Sequence, residues 1–137
     1  MTEENEELLI KDLYNRLLYG VECKDIYINV SGKLDEISTR YNMCRLSDEY
    51  GELETCYIPN CRPYLFPMSS MTEEQRKEYE SLCIKNTSEC TDLYSIVFPK
   101  DYYDTVESID YLYKNHIDIR GLIPMGLAID ATNKNIY

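Results

Sequence analysis

Val21-Glu-Cys-Lys-Asp-Ile-Tyr-Ile-Asn-Val30, followed by Ser31-Gly32, opens the stretch whose reading decides the fold. Apolar side chains recur at Cys23, Ile26, Ile28 and Val30, an imperfect alternation that suits a strand with one face on a core. Ser31-Gly32 offers a turn, and residues 34–43 follow with Ile37, Thr39 and Tyr41 as β-formers. Asp48-Glu-Tyr-Gly51 offers a second turn ahead of another run, 53–58. Short β-rich runs broken about every ten residues predict an antiparallel meander or a small SH3-like barrel over 21–60.

On the N-terminal side, residues 5–19 predict an amphipathic helix. Ile10, Leu13, Tyr14, Leu17 and Leu18 stand at i, i+3, i+4, i+7 and i+8, one continuous stripe. Glu3, Glu4, Glu6 and Glu7 load its first turn, where negative charge suits the helix dipole, and Gly20 supplies a left-handed stop. On the other side, Pro59, Pro63 and Pro67 punctuate the chain. Pro63-Tyr-Leu-Phe-Pro67 reads as neither a central strand nor a helix interior, because proline removes a donor and restricts its predecessor. The Pro-rich segment 61–71 is expected to run extended over the sheet, pinned by Tyr64, Leu65 and Phe66.

Thr72-Glu-Glu-Gln75 is a capping box and opens a second helix over 72–84. Residues 85–92 read as a loop and 93–98 as a further strand. A third helix is expected over 104–115, with Val106, Ile109, Leu112 and Tyr113 facing inward. The tail, 116–137, holds Gly121, Pro124 and Gly126 and reads as irregular. The whole is one α+β domain, 1–137, with the two later helices packed on the β unit.

The 137 residues carry 25 Asp+Glu against 14 Lys+Arg, a formal net charge of −11. That balance opposes direct nucleic-acid binding, which needs basic side chains along phosphates. No apolar run approaches the roughly 20 residues of a membrane span. Met1-Thr-Glu-Glu-Asn-Glu-Glu7 is the reverse of a signal peptide's basic start, so the cytoplasm of the producing cell is expected. The six cysteines, at 23, 44, 56, 61, 83 and 90, lack any C-x-x-C spacing, and His116 is the sole histidine. They are read as reduced core side chains, with neither metal nor cofactor.

Three blocks resemble a group of short phage- and prophage-encoded proteins of gut Bacteroidales. They are Glu7-Leu-Leu-Ile-Lys-Asp-Leu13 running to Leu18-Tyr-Gly-Val21; Pro63-Tyr-Leu-Phe-Pro-Met-Ser-Ser-Met-Thr-Glu-Glu-Gln75, the most specific; and Ser108-Ile-Asp-Tyr-Leu112 leading into Asp118-Ile-Arg-Gly-Leu-Ile-Pro-Met-Gly-Leu-Ala-Ile-Asp-Ala131. Residues 22–58 depart from the pattern. The resemblance implies a phage context and action in a bacterial host cell. It carries over no catalytic or binding residue.

Two constellations carry candidate chemistry. Tyr103, Asp104, Glu107, Asp110 and Tyr111 make an acidic–aromatic strip on the third helix, a candidate face for a partner with a basic surface and otherwise a solvated charge run. His116-Ile-Asp118-Ile-Arg120 places an acid/base pair beside an anion-binding group at alternate positions. Its structural reading makes His116 a helix-end cation and pairs Asp118 with Arg120. With Arg62 and Tyr64, these residues form the candidate set for a small phosphate-rich ligand. No phosphate-binding glycine loop and no nucleophile elbow occur. The expected function is a small acidic interaction protein acting on a host or phage protein, including inhibition of a defence or nucleic-acid-handling protein. The alternatives are a nucleotide-sequestering binder and an enzyme centred on His116, Asp118 and Arg120.

Overall fold

The computed structural model describes residues 1–85 and 102–137. The expected strand at 93–98, most of the loop at 85–92, Cys90 and Asp101 lie outside the described residues.

Helix α1 (Glu3–Arg16) starts where the Thr2 hydroxyl accepts the Asn5 N–H at 3.1 Å. It gives way to a 3-10 turn, Leu17–Tyr19, and stops at Gly20 with φ 68°. Its buried face is only partly the expected one: Leu13 is buried and Ile10 and Leu17 pack against the core, but the face is turned. Leu9, Asp12, Leu13 and Arg16 face inward, while Tyr14 is 45% and Leu18 92% exposed. That face lies one residue back from the apolar stripe, a rotation of about 100°. The cause is an ion pair taken into the interior: Arg16 Nε meets Asp12 Oδ2 at 2.7 Å, and Arg16 Nη2 donates to the Ile117 carbonyl at 2.7 Å.

Strands β1 (Glu22–Asp25), β2 (Val30–Ser38), β3 (Met43–Ser47), β4 (Leu53–Tyr57) and β5 (Cys61–Leu65) form a sheet ordered β4-β3-β2-β1-β5, antiparallel throughout. The turn at Asp48–Gly51 forms as expected, with the Asp48 carboxylate accepting the N–H groups of Tyr50 and Glu52. The first turn does not fall at Ser31-Gly32. It lies at 26–29, where the Asp25 carboxylate takes the N–H groups of Tyr27 and Ile28 and Asn29 adopts φ 59°. Gly32 instead sits inside β2 because β3 passes too close for a side chain: a Cβ there would lie 2.6 Å from the Ser47 carbonyl oxygen.

The segment Pro63-Tyr-Leu-Phe-Pro67 corrects the sequence reading, since β5 is an interior strand. Ile26 N–H donates to the Asn60 carbonyl, which makes Asp25 and Cys61 a non-hydrogen-bonded pair. By the antiparallel alternation Cys23 and Pro63 are another such pair, so the donor that Pro63 lacks faces away from β1. On that outer side β8 (Ile129–Asp130) runs parallel to β5 and meets only Tyr64 and Leu65. The barrel alternative does not close. A 3-10 turn, Ile58–Asn60, joins β4 to β5 without a ladder between them, and β8 occupies the β5 edge that closure would use.

Helix α2 (Glu73–Leu82) has the expected capping box but buries none of its residues. It packs against helix α3 (Val106–Lys114) rather than against the sheet. Helix α3 begins with a second capping box, Thr105 with Ser108, and buries Leu112 and Tyr113, whereas Val106 is 75% exposed. Two short strands, β6 (Ile84–Lys85) and β7 (Tyr102–Tyr103), join near its start. The tail is irregular apart from β8, yet it contributes Leu122, Leu127 and Ala128 to the core that Leu9, Leu13, Val21, Leu34, Leu46 and Leu65 share. Among the described residues no helix is long and apolar enough to cross a membrane.

Candidate functional site

The clearest surface feature is an open groove of about 740 Å³ where the end of α1 meets the start of α3. Tyr14, Leu18 and Tyr19 line one side, and Asp104, Val106, Ile109, Asp110 and Tyr113 the other. Leu18 and Val106 are nearly bare, although both are large and apolar. They stand outside the core because the buried Asp12–Arg16 pair turns α1, and because Val106 occupies the first helical position of α3. The groove is apolar in its walls and acidic at its rim.

Of the acidic strip only Asp104 and Asp110 line this groove, and the strip's members differ in role. Asp104 precedes the cap of α3 and is held from three sides, accepting hydrogen bonds from the Tyr79 hydroxyl, from Ser108 Oγ at 3.1 Å and from the Cys83 thiol at 3.9 Å. It is an anchor between α2 and α3. The Tyr111 hydroxyl donates to Glu78 at 3.3 Å, so it too ties the helices together. Asp110 and Tyr19 line opposite sides of the groove, and desolvation first, then the Asp110 charge, raise the pKa of the Tyr19 hydroxyl. Glu107 is exposed on α3, and Tyr103 lies half-buried in β7.

The other constellation comes together only in part. His116 lies just past the end of α3 with φ 60°, and the chain folds back in a double hydrogen bond: His116 N–H to Tyr113 O and Ile117 N–H to Leu112 O. Its ring stacks on Tyr137 with centroids 3.7 Å apart. Burial, and then the Arg16 charge, push its pKa down to about 4, so it is neutral at pH 7 and is no helix-end cation. Asp118 is buried and accepts the N–H groups of Leu122 at 2.8 Å and Ile123 at 2.9 Å, which fixes the turn at Gly121. It does not pair with Arg120. Arg120 instead approaches Asp12 at 3.6 Å, joining the buried pair.

Arg62 spends its guanidinium on the carbonyls of Pro59, Cys61 and Gly126, and the Tyr64 hydroxyl shares a hydrogen bond with Ser31. Arg62, Tyr64 and Asp118 thus already have internal partners, whereas His116 Nδ1 is buried without a hydrogen-bond partner. No hydrogen bond joins His116 to Asp118, so the acid/base pair does not form. What the sequence reading missed is the Asp12–Arg16–Arg120 cluster and the groove it produces. The signal was present in the i, i+4 spacing of Asp12 and Arg16, but that spacing is equally common on exposed faces.

No family model, curated protein or solved structure matches the chain.

Proposed function

We propose that the chain is a protein-interaction module that holds a basic, apolar-tipped segment of a partner in the groove between α1 and α3. The observation that carries this reading is the pairing of Leu18 and Val106, 92% and 75% exposed, across an acid-rimmed groove. Large apolar side chains left bare on both walls of one concavity mark a contact surface. A chain of net charge −11 with Asp104 and Asp110 lining the groove, and Glu107 exposed on the same helix, attracts a basic partner and accelerates the encounter. The sequence resemblance and this charge together support a phage-encoded protein that occupies a basic surface of a host protein, as an inhibitor of a defence or nucleic-acid-handling function.

The test is selection from a displayed random-peptide library. Enrichment of Lys/Arg-containing peptides with a large apolar residue is expected, with binding that weakens as salt rises. Leu18→Ser and Val106→Ser, both at exposed positions, should each weaken the selected peptides by about tenfold, near 1.4 kcal/mol. Glu107→Gln with Asp110→Asn should slow association and flatten the salt dependence; Asp104 is left intact because it anchors α2. Peptides without basic residues, or affinity untouched by the groove variants, would overturn the proposal.

A further inference from the structure

Four of the cysteines converge in the interior although they come from four different strands. Register explains half of this. The hairpin around Asp48–Gly51 puts Cys44 on β3 directly opposite Cys56 on β4. Cys61 on β5 faces Asp25 on β1, which places Cys23, two residues earlier, on the same inward side. The curl of the open sheet and the short 3-10 turn between β4 and β5 then bring the two pairs together. The sulfurs of Cys44, Cys56 and Cys61 all lie within 4.8 Å of one another, and the Cys23 thiol lies beside Cys61, close enough for the two to shift each other's protonation. All four side chains are buried, at 0–1% exposure.

We propose that Cys44, Cys56 and Cys61, with Cys23 beside them, are a thiolate site for one soft d10 metal ion, Zn²⁺ or Cu⁺. Metal–sulfur bonds of about 2.3 Å place neighbouring sulfurs about 3.8–4.0 Å apart, so the observed spread needs a contraction of no more than about 1 Å. Thiolate is the ligand these ions select. The site is made of strand residues rather than a knuckle, which is why no C-x-x-C spacing announces it. Each metal–sulfur bond forms as an S–H bond breaks and its proton leaves to water, and no electron changes hands. The thiolates then add negative charge to the core, and a cation stands ready: the Arg62 guanidinium is held 2.9 Å from the Cys61 carbonyl and 2.7 Å from that of Pro59.

Without a metal, the cluster favours neutral thiols. Cys23 is pushed above the ordinary thiol range first by burial, Cys61 first by the neighbouring Cys23 thiol, and Cys56 first by the neighbouring Cys44 thiol. Binding must therefore strengthen as pH rises, since protons compete for the same sulfurs.

The experiment is titration of the reduced full chain, freed of metal by chelator, with Co²⁺ as the spectroscopic stand-in for zinc and with Cu⁺. One ion per chain is expected, with intense sulfur-to-metal charge transfer and a higher melting temperature on Zn²⁺ addition. Cys83→Ser, outside the cluster, should leave the titration unchanged. Cys44→Ala and Cys61→Ala should abolish the equimolar step, with circular dichroism reporting whether each variant folds. Cys23→Ala separates the two ions: tetrahedral Co²⁺ bands lost with Cu⁺ retained assign a three-thiolate site, and loss of both assigns four. A wild-type chain that shows no equimolar step and no metal-dependent shift in melting overturns the proposal, whatever the variants do. So does a Cys44–Cys56 disulfide forming in its place. Neither result bears on the groove, which lies between the helices.

Discussion

Arg16 has no exposed surface, and its charge is met by one carboxylate, one carbonyl and one ring. Asp12 supplies the first, Ile117 the second, and the Tyr113 face lies 4.9 Å below the guanidinium carbon. Arg16 Nη1 nevertheless lacks a hydrogen-bond partner. A buried pair of this kind contributes little net stability, because desolvation offsets the attraction, yet breaking it is costly. Asp12→Ala should therefore destabilise by about 3–5 kcal/mol, leaving Arg16 and Arg120 uncompensated, whereas Asp12→Leu combined with Arg16→Met should recover most of that loss. Urea denaturation of the three variants checks this. His116 gives a second residue-scale expectation. Its charged form is disfavoured in the folded protein, so between its ordinary value of 6.5 and its folded value of about 4 the unfolded chain binds more protons. Stability from this group is full above pH 6.5 and is lost as pH falls through that window. Water on the open side of the ring keeps the loss to about 1 kcal/mol. His116→Asn keeps a residue that tolerates φ 60° but does not titrate, so its denaturation midpoint should fall less steeply between pH 6.5 and 4. The sequence held only the ambiguous i, i+4 spacing for the Asp12–Arg16 pair and nothing for His116, because burial and left-handed backbone at a histidine have no local signature.

Helix α1 shows how far element-level reading reaches. Its existence, its acidic start and its Gly20 stop follow from local rules that tertiary structure did not override. Its orientation did not follow, since a stripe of apolar residues predicts the inward face only when no polar pair competes for the interior. Leu13 satisfies both readings, and Leu18 only the first. Leu13→Ala should cost about 2–5 kcal/mol, and Leu18→Ala less than about 0.5 kcal/mol; thermal melts of the two decide it. Turn chemistry gave the Asp48–Gly51 turn, but the opposition of Cys44 and Cys56 depends on one further loop residue, Glu52, since a four-residue loop would have set Cys44 against Thr55. Pro63 misled because its missing donor counts only on a paired edge, and the chain places it opposite Cys23 with that side turned outward. Gly32 misled for a related reason. It marks the approach of the β3 backbone, not a bend.

At the scale of the molecule, α+β architecture was legible from the run of short strands between helices, and closure was not. Whether a curled sheet seals depends on what competes for its last edge, and here the competitor lies 65 residues further along the chain, where β8 meets Tyr64 and Leu65. The irregular reading of the tail was fair, but its apolar residues enter the common core. The groove is likewise a whole-molecule property, since its two walls come from opposite ends of the sequence. The late arrival of β8 has a consequence for synthesis. As the chain leaves the ribosome, β1 to β4 can pair at once through short hairpins and β5 can then dock on β1, while the outer edge of β5 waits until residue 130 has emerged. For that interval the nascent chain displays an open strand edge of the kind that templates aggregation. Pro63 removes one donor from that edge and so blunts it during the wait. Arrested nascent chains ending at residue 115 should accordingly be more prone to aggregate with Pro63→Val than with proline in place, while the released full-length variants should differ far less.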